Sequence, residues 1–238
     1  RAALIRSLRE RYGDVLLVDA GNALFPGHLS TFDRGRCLVA LYGAMGYDAC
    51  GVGPSDLCLG ARTLRRRAGE AGFPFVATNA DLGLPRSVSI DVGGLRVCIL
   101  SVLTRDVKRR LAFLGSDIEV RDPAEAVEAV LNEMKERAPD VTILLAGVTE
   151  GEAFGLARSL DGVHVVVRVR ERSQKSPHEV FFRIDAAGGT TVLCCPKRGT
   201  HVGVARIEMK PEGPRVTSCR LVALDDSVGV DGFAATRI

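Results

Sequence analysis

The sequence has no apolar run near the roughly 20 residues that a helix needs to cross a bilayer, so it predicts no membrane span. It has seven cysteines but no C-x-x-C pair and no haem-attachment motif. Most of these cysteines lie inside apolar runs, as buried free thiols do, and an odd number excludes complete internal pairing. The four histidines show no metal-ligand spacing, so they do not predict a metal site.

Charge and chain organisation exclude further classes. The net charge of +3 is small and scattered, which argues against nucleic-acid binding. The arginine-rich stretch 62–67 has helical spacing, and we interpret it as a solvated helix face. The sequence shows no internal repeats. It opens at Arg1 without Met, inside a helix-like segment, so we expect a fragment or a processed product.

The most informative stretch is 14–27. Its run of four branched apolar residues, 15–18, predicts a short strand buried on both faces, as in parallel sheets. Asp19 and Asn22 follow at the carboxyl end, where α/β sheets gather ligands. Gly21 between them lets the backbone approach a bound group closely. The stretch therefore predicts the rim of a binding crevice.

Strands and helices alternate along the chain, which favours an α/β sandwich over a single doubly wound sheet. We expect residues 14–18, 50–52 and 143–146 to be central strands of one sheet, within two facing mixed sheets flanked by helices. The predicted helices are 33–45, 61–71, 122–134 and 152–160. The other predicted strands are 73–79, a hairpin of 88–92 with 95–103, 163–167, 179–184, 190–195 and 202–209.

Several framework segments together resemble one known family. They are 14–27, 45–53, 73–80, 94–100, 192–203 and 221–226. In order and spacing they are similar to the metallophosphoesterase (calcineurin-like) domain of the bacterial 5′-nucleotidase / UDP-sugar hydrolase family. The resemblance implies a four-layer α/β sandwich of two mixed sheets flanked by helices, with its first strand lying before Arg1. It further implies a domain at 1–224 and a tail or linker to another domain at 225–238.

The same resemblance indicates a degenerate site. The family binds two divalent metal ions with carboxylates, imidazoles and an amide, and these ions polarise the phosphoryl group and activate water. Here the matching positions have lost those ligands: the bridging Asp is Asn22, the Asn-His pair is Pro54-Ser55, a later His is Gly147, and two final ligands are Arg170 and Arg172. We therefore expect no metal cofactor and no catalytic residue.

The resemblance places a vestigial site at six residues, which are Asp19, Asn22, Ser55, Asp56, Arg170 and Arg172. Asp56 has another interpretation, as a cap of the helix that follows it. In an extended segment the two arginines would point to the same side, where they could pair with an acidic residue or hold an anion. A solvated loop is the preferred interpretation of the arginines. A metal site rebuilt with Cys58 and Cys195 is disfavoured, because several such ligands would have to converge.

Three classes of function follow. The preferred hypothesis is a catalytically degenerate 5′-nucleotidase-like domain, a pseudoenzyme that acts as a binding or scaffold module of a larger extracytoplasmic protein. The first alternative is a phosphoester (nucleotide) hydrolase whose unusual metal site is completed by residues outside this chain. The second is an anion or nucleotide binder that uses Arg170 and Arg172. The expected partner is another domain or protein, or a small anion. A periplasmic or extracellular location is implied by the resemblance alone.

Overall fold

The computed structural model describes residues 1–25, 28–107, 109, 112, 118–169, 182–185, 189–194, 199–225 and 228–229. The helices are α1 Ala2–Tyr12, α2 His28–Phe32, α3 Arg36–Met45, α4 Ala61–Glu70, α5 Pro123–Glu133 and α6 Glu150–Ser159, with 3₁₀ turns at Pro54–Leu57 and Lys135–Arg137. The strands are β1 Val18–Asp19, β2 Ala49–Gly51, β3 Phe75–Val76, β4 Ser87–Val92, β5 Leu95–Leu103, β6 Val141–Gly147, β7 Val165–Arg168, β8 Phe182–Asp185, β9 Thr191–Cys194, β10 His201–Lys210 and β11 Gly213–Ala223.

The described strands form two sheets and a long hairpin. The first sheet is parallel, in the order β1-β2-β3. The second has the order β4-β5-β6-β7-β9-β8, with a parallel centre between antiparallel edge pairs. Strands β10 and β11 pair with each other as an antiparallel ribbon. These topologies confirm an α/β architecture with sheets flanked by helices.

Three hydrophobic cores separate four layers. The first lies between the parallel sheet and helices α1, α3 and α4. The second fills the space between the two sheets, and the third lies between the six-stranded sheet and helices α5 and α6. Strand β5 shows how one sequence serves two cores: Val97 and Ile99 face the other sheet, while Cys98 and Leu100 face the helices. This alternation follows from the two-residue period of a strand.

The placement of the three apolar runs in one sheet was wrong. The first two lie in the parallel sheet, and the third lies in the six-stranded sheet. The first run packs on both faces but is only half-buried, because β1 is a short strand at the edge of the described sheet. Its neighbour Leu17 packs on the helix side, and Leu16 and Val18 pack between the sheets. Apolar runs report burial but do not specify the neighbouring strand.

Local signals were more informative. The predicted hairpin forms between β4 and β5, where Gly93 and Gly94 take the positive φ of its turn. Helix α5 begins at Pro123, and the Asp122 carboxylate caps it by accepting the N–H of Ala124 at 2.9 Å. In the described part of the chain, every helix is too short or too polar for a transmembrane segment. The boundary between a domain at 1–224 and a tail at 225–238 stays a prediction.

Candidate functional site

The two sheets approach each other closely where β2 ends. A Cβ atom at Gly51 would lie 2.8 Å from Oγ of Ser101 and 2.9 Å from Cβ of Leu145, both on the opposite sheet. Only glycine fits this distance, and the hydroxyl of Ser101 accepts the N–H of Val52 across the gap. The segments that follow β1 and β2 are therefore held beside the carboxyl end of β6. This junction contains the predicted site residues of the first half of the chain.

Asp56 is fully buried in the 3₁₀ turn that follows Gly53. Its Oδ2 accepts the backbone N–H of Asn22 at 2.7 Å and of Gly53 at 2.8 Å, and its Oδ1 accepts that of Leu24 at 2.8 Å. Burial raises the pKa of Asp56 to about 6, an effect that the three backbone donors oppose and the nearby Asp19 reinforces. The carboxylate joins two loops, and its oxygens are already occupied by backbone donors.

Asn22 connects the same two loops from the other side. Its backbone takes a φ of +58°, which asparagine tolerates better than most residues. Its Oδ1 accepts the backbone N–H of Ser55 at 2.7 Å. The structure thus brings three of the predicted residues, Asn22, Ser55 and Asp56, into one hydrogen-bonded cluster. Their role as a ligand-binding site stays a prediction.

Asp19 forms a separate cluster with an aromatic pair. Its Oδ1 accepts the N–H of Gly21 at 2.9 Å, and its Oδ2 accepts the hydroxyl of Tyr42 at 2.9 Å. Tyr42 stacks on Tyr47 with ring centroids 4.2 Å apart. Burial raises the pKa of the Tyr42 hydroxyl, and the negative charge of Asp19 raises it further, so the hydroxyl remains a donor. The sequence indicated Tyr42 only as part of a helix stripe.

Gly147 closes the junction from the six-stranded sheet. A Cβ atom at this position would lie 2.9 Å from the carbonyl oxygen of Val52 and 3.3 Å from Cα of Gly53. The carbonyl of Gly147 itself accepts the N–H of Thr104 at 3.1 Å. The backbone of one sheet thus lies where a side chain of the other would have to stand. An imidazole at position 147, as the resemblance implies for active members, does not fit without movement of both loops.

An ion pair between a buried arginine and an exposed glutamate, at the ends of β6 and β7, was not predicted. The Arg168 side chain is 4% exposed, and its guanidinium lies 3.1 Å from Oε2 of Glu150 at the start of α6. It also donates to the carbonyl of Val169 at 3.4 Å. An arginine that ends an apolar strand is the only sequence signal for this contact. Arg170 and Arg172 lie outside the described residues, so their pairing with Asp19 or Asp56 stays a prediction.

Comparison with known proteins identifies the fold to which this junction belongs. No protein-family model matches the chain. The chain is 30% identical over 179 residues to a snake venom 5′-nucleotidase of Gloydius brevicauda, a match that covers 70% of the chain and 30% of that protein. The calcineurin-like phosphoesterase YfkN of Bacillus subtilis superposes with a TM-score of 0.80 over 99% of this chain and 85% of its own, at 18% identity. The chain has the metallophosphoesterase fold.

A second solved structure agrees. The 5′-nucleotidase precursor of Thermus thermophilus superposes with a TM-score of 0.79 at 22% identity, over 99% of this chain and 50% of its own. The chain thus spans about half or less of the 5′-nucleotidases that it resembles. Within the metallophosphoesterase fold, three of the positions predicted to be degenerate, Asn22, Ser55 and Gly147, lie at the junction between the two sheets.

The described residues of this metallophosphoesterase fold do not fit a two-metal centre. Such a centre needs several carboxylate, amide and imidazole ligands that converge on two ions. Across the described ranges, no three His, Cys, Asp or Glu side chains gather in that way. The Asp56 carboxylate and the Asn22 amide oxygen already accept backbone N–H groups, and Gly147 leaves no space for an imidazole. These hydrogen bonds instead connect the loop after β1 to the loop after β2.

Proposed function

We propose that this domain does not hydrolyse phosphoesters and acts as a binding or scaffold module of a larger protein outside the cytoplasm. One observation carries the proposal. At Gly147 the backbones of the two sheets meet, since a single added Cβ would lie 2.9 Å from the carbonyl oxygen of Val52. An imidazole ligand does not fit there unless both loops move, so the junction supports a closed framework and disfavours a catalytic cleft.

The chemistry of the neighbouring groups supports the same proposal. Phosphoester hydrolysis by a two-metal site depends on concentrated positive charge at the reacting phosphoryl group. The junction instead contains the buried carboxylate of Asp56, which is satisfied by backbone donors, and the neutral amide of Asn22. These groups contribute to the stability of the loops. They supply neither a strong base nor a strong electrophile for a substrate.

Two comparisons support the context of the module. The Gloydius brevicauda relative is a venom protein, which supports a periplasmic or extracellular location. The matched region is 30% of the length of that relative, which supports membership in a larger protein. Fractionation of the native cells tests the location: recovery of the full-length protein in the cytoplasmic fraction would contradict it.

The activity is tested with nucleoside 5′-monophosphates and an aryl phosphate, in the presence of Mn²⁺, Zn²⁺ or Mg²⁺. We expect the purified chain to release no phosphate above a heat-treated sample, while an active 5′-nucleotidase in the same buffer does. Turnover that survives a second purification and disappears with a chelator would overturn the proposal. Turnover by the full-length protein alone would assign the metal ligands to residues outside this chain, as the first alternative requires.

A further inference from the structure

A crevice of about 150 Å³ lies at the amino ends of β7 and β9. Its walls come from the end of α6, the loops that lead into these two strands, and the turn between β10 and β11. His164 immediately precedes β7, whereas Gly147 ends the parallel neighbour β6. The crevice is therefore at the opposite end of the six-stranded sheet from the site described above.

The histidine in this crevice is held in one tautomer. Its Nδ1 accepts the backbone N–H of Thr142 at 2.9 Å, so the proton of the neutral ring is on Nε2. Burial lowers the pKa of His164, and the positive charge of Arg215 lowers it further. Near neutral pH the ring is thus a neutral donor. In the described part of the chain, its Nε2–H has no hydrogen-bond acceptor.

Two arginines, Arg158 and Arg215, line the crevice together with the histidine. Arg215 is half-buried and lies across Gly189, where any Cβ atom would overlap the guanidinium. Arg158 is exposed at the end of α6. Among the described residues neither arginine has a hydrogen bond or a carboxylate within 4.0 Å. A half-buried guanidinium without an anion keeps an unrelieved desolvation cost.

The arginines of another surface cleft show the contrast. That cleft is lined by Arg86, Arg105 and Arg121. Arg105 lies 3.5 Å from the carboxylate of Asp122, and Arg121 lies 3.3 Å from that of Glu119. Because each of those cations has a carboxylate of the protein beside it, that cleft has less need of an external anion.

We propose that the crevice binds a small oxyanion, a phosphate or a carboxylate group, through His164 Nε2–H, Arg158 and Arg215. Guanidinium groups bind such oxyanions with paired N–H donors. A volume of about 150 Å³ exceeds the roughly 30 Å³ of one water molecule enough to admit a phosphate ion with water. The bound charge would also relieve the repulsion between Arg215 and protonated His164.

Two carboxylates in the walls limit the affinity. Asp161 and Glu212 are exposed and line the same crevice. Their negative charge opposes an incoming anion, although water screens much of this effect. Phosphate should therefore bind in the millimolar range, and Glu212→Gln should strengthen binding. A carboxylate far from the crevice is screened by salt, so its removal would leave phosphate binding unchanged.

The test follows the imidazole of His164 by NMR during titration with inorganic phosphate at constant ionic strength. The His164 resonance is assigned by its loss in His164→Gln. We expect a saturable shift and a higher His164 pKa in phosphate, with binding weakened about tenfold in Arg158→Gln and in Arg215→Gln. Arg105→Gln, which changes an ion-paired arginine of the other cleft, should leave the titration unchanged. Acetate in a parallel titration distinguishes a carboxylate from a phosphate preference.

The absence of a saturable shift in the folded wild-type chain would overturn the proposal, as would equal binding by wild type and Arg158→Gln. Arg158 is exposed, so its variant remains informative if Arg215→Gln fails to fold. Catalysis is not involved in this measurement, so its result is independent of whether the domain hydrolyses phosphoesters.

Discussion

The contact at Gly147 gives the sharpest prediction about the closed junction. In Gly147→Ala the new methyl carbon would lie 2.9 Å from the carbonyl oxygen of Val52 and 3.3 Å from Cδ2 of Leu103. The first distance is shorter than real Cβ contacts, and the opposing atom is backbone, which moves only with its whole loop. Overpacking of this kind costs about 1–3 kcal/mol. We expect Gly147→Ala to lower the free energy of unfolding by that amount.

Urea denaturation followed by circular dichroism measures this change. The matched control is Gly151→Ala in helix α6, where no atom lies within 4 Å of the new methyl group. Alanine is the better helix former, so this control should be neutral or stabilising by up to about 1 kcal/mol. Gly147→His should be less stable than Gly147→Ala. If Gly147→Ala were as stable as wild type, the junction would have free space and the argument against a ligand there would be wrong.

The remaining predictions concern polar groups. Burial raises the pKa of Asp56 from 3.8 to about 6. The protonated carboxyl therefore stabilises the fold by about 3 kcal/mol, in full below pH 3.8. This stabilisation is lost as the pH rises through 6. Asp56→Asn should remove this pH dependence from urea midpoints, and parallel wild-type and variant curves would contradict it. Tyr42→Phe deletes the donor to Asp19 and should cost about 1 kcal/mol in the same assay; an unchanged midpoint would refute that contact. Glu150→Gln leaves the buried Arg168 without its carboxylate and should cost about 1–3 kcal/mol, so a neutral result would show that this pair is not formed.

The sequence predicted local elements better than their assembly. Pairs of glycines, Asp-Pro and periodic apolar residues act within a few positions, so the hairpin at Gly93 and helix α5 were predicted close to their observed bounds. The membership of β1 and β6 in different sheets depends on strand pairings between residues 22 to 44 positions apart, which periodicity does not encode.

The same limit applies to the candidate site. Asn22, Ser55 and Asp56 could be placed together, because each follows a strand whose end was visible in the sequence. The three hydrogen bonds that the Asp56 carboxylate accepts from backbone N–H groups could not be predicted, since they depend on the path of two loops. The closure at Gly147 likewise depends on the distance between two sheets. A glycine in place of a histidine suggested a lost ligand but gave no indication of that contact.

We expect this metallophosphoesterase fold to bind no pair of divalent metal ions, and Mn²⁺ titration followed by electron paramagnetic resonance measures such binding. Mn²⁺ prefers oxygen and imidazole ligands over thiols, so the free cysteines of the chain interfere little. Free Mn²⁺ gives a sharp signal that disappears when the ion binds a protein site. We expect the signal to rise with added metal as it does in buffer alone. A saturable loss of the free-ion signal equivalent to two Mn²⁺ ions per chain, abolished by Asn22→Ala, would contradict the absence of a metal centre.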